Sequence, residues 1–327
     1  MTRPHLEKWS PQVVGRCLGY ALLEAPTRTG KDNMARDINL CSEDLPDLAS
    51  LTQLYVGGMI RLFRSPKGPT PTPPTIPISY YPQRKSLTTL AQDIAAALAE
   101  PHKFANAKLL ALQRDGFCCV VTGSFDLDSV EKEFIQPTPG TAWVFTQAAH
   151  IFGESNNGNI LGEGHTLKPE WALTVAALVE RYAEISICKE LNGSNIYRAE
   201  NVLTLDIGTH YFLDNLYISL EPVQDTPHTY NLHTYSEKNK HRQYRVPQRV
   251  TFTDHSNGKT AMPDRRYLQL HHICAKVLHL SGALKVVKKF EWEMERLEGL
   301  AADGSSAKYL SEALLSSSLS LRPPPEY

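Results

Sequence analysis

Along the first part of the chain, apolar and polar positions settle into a clear period in LASLTQLYVGGMIRLFR. There Leu51, Leu54, Tyr55, Met59 and Leu62 recur at helical spacing. Ahead of it, VVGRCLGYALLEA is a nearly unbroken apolar run that reads as β-like. SLTTLAQDIAAAL, from Ser86 to Leu98, predicts a capped amphipathic helix, and a second helix is predicted from about Phe104 to Arg114. The chain then enters RDGFCCVVTG, where Asp115 and Gly116 signal a turn, FCCVV a short buried strand, and Thr122 and Gly123 its close. WVFTQAAHIF predicts another strand. From Pro169 to Leu191 the pattern is helical, with Trp171, Val175, Leu178 and Tyr182 on one face. In NVLTLDIGTHYFLDNLYISLEP, VLTL predicts a strand, DIGTHYFLDN a compact turn or short helix, and LYISLEP a returning strand; a further helix is expected from about Asp264 to Leu297.

These elements imply an organisation in segments. Residues 1–65 form an N-terminal accessory region, expected to be a small α/β unit. The prolines of SPKGPTPTPPTIPISYYP forbid a regular helix or central strand, so 66–85 is an extended connector, read as a plain linker or a proline-rich ligand for a partner. Residues 86–222 hold the paired strands, 223–298 a basic strand region and the last helix packing on the core, and 299–327 a Ser- and Pro-biased tail expected to be mobile. With 327 residues, 42% of them hydrophobic and 21% charged, the chain is long enough to bury a sizeable core. Its formal net charge of -1 excludes a global positive field, so any contact with nucleic acid must be a local patch. MTRPHLEKWSPQVV has no apolar core of signal-peptide length and no apolar run spans a bilayer, which predicts an intracellular protein, cytoplasmic or nuclear, not secreted and without a membrane partner. The six cysteines are scattered rather than paired at zinc-ribbon spacing, and read as buried, reduced thiols.

The candidate chemistry lies around the paired strands. TQAAHIFGESNNGN sets His150 at the end of an apolar strand, ahead of a Gly- and Asn-rich loop. Asn201 precedes the next strand, and His210 and Asp214, four residues apart, share one helix face on which an imidazole nitrogen and a carboxylate oxygen can hold one divalent ion. His150 would then take a proton from water. Taken singly, a histidine on a strand is also explained by core packing.

The order of these pieces resembles the HNH endonuclease family, most closely the HNH proteins of mushroom-forming fungi. The resemblance is carried by RDGFCCVVTGSFD, AAHIF, NVLTLDIGTHYFLD, ISLEP and RYLQLHHICAKVLHLSGA, between about Leu109 and Ala283. It implies an α+β protein built on a ββα-metal HNH core with flanking helices. It also implies His150 as general base, Asn201 as the middle Asn, and His210 and Asp214 as metal ligands. The implied activity is divalent-metal-dependent hydrolysis of phosphodiester bonds in nucleic acid, expected to be DNA, with Mg, Mn or Zn as cofactor. One departure stands out: many active members place Asp or His immediately before the base, where this chain has Ala149. His165 and Glu154 are the nearest substitutes for that donor. The alternative is an HNH scaffold kept as a nucleic-acid or protein interaction module without catalysis.

KNKHRQYRVPQR interleaves Lys238, Lys240, Arg242, Arg245 and Arg249 with Tyr244, a pattern suited to phosphate contacts, although a solvated edge strand explains it equally. His271 and His272 lie in an otherwise apolar helix and read as packing or surface residues. Cys118 and Cys119 read as core thiols, with no second pair near in sequence.

Overall fold

A computed structural model of the chain describes residues 9–64, 104–153, 168–235 and 247–295. The predicted Ser86–Leu98 helix, the Pro-rich connector, most of the basic run and the tail lie outside these residues. The chain forms two compact units, and each draws on separate stretches of sequence: 1–68, 159–192 and 273–327 in the first, 69–158 and 193–272 in the second. The segment 168–183 therefore joins the N-terminal stretch, not the paired strands with which the sequence groups it.

In the first unit every described element is helical, which corrects the expected α/β region. VVGRCLGYALLEA lies in the helix Pro11–Leu23, capped by Ser10, whose Oγ accepts from Val13 N at 3.3 Å. Its buried positions, Val14, Cys17, Leu18 and Ala21, follow helical spacing inside a run that looks continuous in one dimension. Thr27 caps Arg28–Leu40 by accepting from Gly30 N at 2.9 Å. Leu45–Thr52 continues through one π-helical turn, Gln53–Gly57, into Gly58–Phe63. The helix Lys168–Ala183 places Tyr182 in this core, where its hydroxyl donates to Ala21 O at 2.6 Å. The helix expected to reach Leu297 is two, Arg265–Leu280 and Ala283–Glu295, parted where Gly282 takes φ 86° and the Ser281 hydroxyl accepts from Ala283 N.

The second unit carries all seven described strands, in three small sheets. β1 (Phe125–Asp126) and β2 (Trp143–Val144) pair in parallel. β3 (Thr146–His150) pairs antiparallel with β4 (Val202–Asp206), His150 opposite Val202 and Thr146 opposite Asp206. β5 (Ile218–Pro222), β6 (Thr229–Thr234) and β7 (Arg249–Thr251) form an antiparallel meander. The helix Ile207–Asp214 follows β4 directly, capped by Asp206, and packs on β3, β4 and β5, while the helix Phe104–Arg114 packs on β3 and β4. FCCVV is not a strand: Cys118 bridges Phe125, and Val120 N donates to Thr204 O, so the segment is a tight loop against β4. The turn before it does need its glycine, since Gly116 has φ 69° and a Cβ there would lie 2.8 Å from the His255 ring.

The architecture is thus α+β, with small sheets flanked by helices. In the first unit, a Cβ at Gly30 would sit 1.8 Å from the Tyr182 carbonyl oxygen, which only backbone movement can relieve. Gly30→Ala is expected to destabilise the protein by ~1–3 kcal/mol or more, seen as a lower denaturant midpoint, despite alanine's higher helix propensity.

Candidate functional site

β3, β4 and the helix Ile207–Asp214 bring two of the four sequence-predicted residues together. His210 Nε2 lies 3.4 Å from Asp214 Oδ2, both side chains half-buried. The other ring nitrogen, Nδ1, is 2.7 Å from Gln147 Oε1. A carboxamide oxygen only accepts, so Nδ1 donates to Gln147, and Nε2 is left facing the Asp214 carboxylate. A ring nitrogen and a carboxylate so placed meet through a proton on the ring or through a cation. An imidazole whose second nitrogen donates outward is also the usual arrangement at a metal. Gln147 escapes sequence reasoning because nothing but strand alternation from Ala149 marks it.

Asn201 is fully buried and ties down the chain after His150. Its Oδ1 accepts from Phe152 N at 2.9 Å, its Nδ2 donates to Phe152 O at 3.2 Å and Ile196 O at 2.9 Å, and its carbonyl accepts from Ile151 N at 2.8 Å. The position of the backbone at His150 is therefore set by Asn201.

His150 itself stands apart from the His210–Asp214 pair. Successive strand residues face opposite ways. Ala148 and Val202 pack with Ala107 and Ala111, so His150 shares that face, with its ring edge-on to Tyr197 at 5.6 Å. Gln147 and the buried Ala149 take the other face, where Gln147 meets His210. Position 149 thus faces the helix Ile207–Asp214, and there the chain has Ala149. Glu154 and His165, and Lys238, Lys240, Arg242 and Arg245, lie outside the described residues. Arg249 is exposed on β7 and donates to Asn231 Oδ1 at 3.1 Å.

A second cluster was not legible as a site. Glu221 on β5, His233 on β6 and His272 on the helix Arg265–Leu280 offer ligand atoms all within 4.8 Å of one another, a group that could hold a metal ion. His233 Nε2 lies 2.8 Å from Glu221 Oε2, His272 Nε2 3.9 Å from Glu221 Oε1, and His272 Nδ1 2.9 Å from Ser219 Oγ. Burial works to raise the Glu221 carboxyl, but the hydrogen bond from His233 and the charge of the two histidines hold it below the usual carboxylate value. Cys118 and Cys119 donate their thiols to Asp115 O and Asp206 Oδ2, and burial pushes Cys118 up to about 11 and Cys119 above its ordinary value.

No protein-family model, curated protein or solved structure matches the chain. No described helix is long and apolar enough to cross a membrane.

His271 sets a pH dependence beside this region. Burial lowers its imidazole from 6.5 to about 4, against the hydrogen bond to Leu213 O and the nearby Asp214 charge, which both raise it. The unfolded chain therefore takes up this proton first. The contribution is fully present above about 6.5 and is lost as pH falls toward about 4. Thermal melts across that window should fall with decreasing pH, and the slope should shrink in His271→Gln.

Proposed function

We propose that the β3–β4–helix unit acts on the phosphodiester backbone of nucleic acid, expected to be DNA, as an HNH-type, divalent-metal-dependent hydrolase. The observation that carries this reading is the conjunction of Asn201 fixing the loop after His150 with the His210–Asp214 pair on the helix that follows β4. His210 and Asp214 would hold the ion, with Gln147 orienting the imidazole. A bound divalent ion would stabilise charge on the phosphate and the departing oxygen. His150 would accept a proton from the attacking water. His150 lies on the face of β3 opposite this pair, so that role requires it to reach the phosphate around the end of the strand. Trp143, Phe145 and Tyr211, each more than half exposed in this unit, offer ring faces on which bases stack.

Ala149 supports a second reading, an HNH-like module that binds nucleic acid or a protein without cutting, because it puts no donor beside the pair. Plasmid incubated with Mg²⁺, Mn²⁺ or Zn²⁺ separates the two. The hydrolase predicts nicking that falls ~100-fold or more in His150→Ala and is lost in His210→Ala. Salt-sensitive binding with no metal-stimulated cutting assigns the module instead.

A further inference from the structure

We propose that Glu221, His233 and His272 form a separate binding site for one divalent transition-metal ion of the Zn²⁺ class. It goes beyond the hydrolase reading, since neither His210 nor Asp214 belongs to it.

The site is built by the sheet and a helix acting together. Ser219 pairs with His233 across β5 and β6, and Glu221 stands two residues on, so Glu221 and His233 are diagonal neighbours on one face of the meander. Onto that face the helix Arg265–Leu280 brings His272, whose side chain is 4% exposed against 40% for Glu221 and 41% for His233. The cluster therefore has one buried arm and two arms open to water, room for a solvent ligand beside three from the protein.

Three features favour an ion over a plain ion pair. The first is spacing. Bonds of about 2.1 Å set neighbouring ligand atoms roughly 3–3.5 Å apart. The Glu221 oxygens lie 2.8 Å and 3.9 Å from the two imidazoles, so small side-chain rotations bring all three into range. The second is support around the ligands. Ser219 Oγ holds His272 Nδ1 at 2.9 Å and is itself 3.2 Å from Tyr235 OH, which orients Nε2 toward the carboxylate. The third is the arrangement of the histidines, whose rings stand 4.8 Å apart at 47°, converging on Glu221 rather than stacked. Two imidazoles and one carboxylate suit Zn²⁺, Ni²⁺, Co²⁺ or Fe²⁺ better than Mg²⁺ or Ca²⁺, which favour all-oxygen shells. An ion would take the place of the hydrogen bond between His233 Nε2 and Glu221 Oε2.

The full chain, stripped of metal, is titrated with Zn²⁺ against a chelating indicator, and with Co²⁺ while its visible absorption is recorded. Wild type should bind Zn²⁺, and Co²⁺ should give a d–d band with nitrogen and oxygen ligands. His233→Ala, at a half-exposed position and checked for fold by circular dichroism, should weaken this binding by tenfold or more. Glu221→Gln should do the same, and Ser219→Ala should weaken it about 10–100-fold. His210→Ala with Asp214→Asn should leave it intact, which keeps failure here distinct from failure of the hydrolase reading. The proposal is overturned if wild type binds no Zn²⁺, if folded His233→Ala and Glu221→Gln bind it as wild type does, or if only the His210 and Asp214 substitutions remove it.

Discussion

The second unit depends on one buried charge. Arg114 is fully inaccessible, and a guanidinium out of water is tolerated only when its donors are met. Its five N–H groups all are: Nε and Nη2 reach the two oxygens of Asp115, Nη1 reaches Ala199 O and Ala261 O, and Nη2 also reaches Val202 O. Asp115 in turn accepts from Thr204 N. One ion pair at a helix end thus holds the turn before β4, the first residues of β4 and the stretch leading to the last helix of the unit.

Asn201 lies between two of the carbonyls that Arg114 holds, and it fixes Ile151 and Phe152 just beyond His150. At the opposite end of the β3–β4 pair, two more buried carboxylates act as pins. Asp126 accepts from Ser129 and Thr146, and Asp206 accepts from Thr209 and from Cys119. The candidate residues are therefore carried by backbone constrained through polar groups, where geometry is more specific than in an apolar contact.

Where structure is encoded locally, it could be read. The strand, the compact turn or short helix, and the returning strand around His210 were legible from the apolar pattern, as was the four-residue spacing of His210 and Asp214. VVGRCLGYALLEA misled because an apolar run this dense carries the period of a helix and the continuity of a strand at once, and only the Ser10–Pro11 start distinguishes them. The Glu221 cluster was invisible for another reason. Its members lie on two strands and a distant helix, with no fixed spacing to mark them, and His272 read as a packing or surface residue because its helix is otherwise apolar. The faces of Gln147 and His150 follow from alternation once the strand is fixed, but which face meets which helix is a tertiary fact.

Amide hydrogen exchange in Arg114→Lys tests most directly whether this charge organises the site. A lysine can satisfy at most three of the acceptors and lacks the planar fork. If the Arg114 network holds the β3–β4 pair, the amides of Ile151, Phe152, Val202 and Thr204 should lose protection together, while those of Val14 to Ala21 in the other unit keep theirs. Unchanged protection at Phe152 and Thr204, in a variant that is folded and lacks the guanidinium, would contradict it.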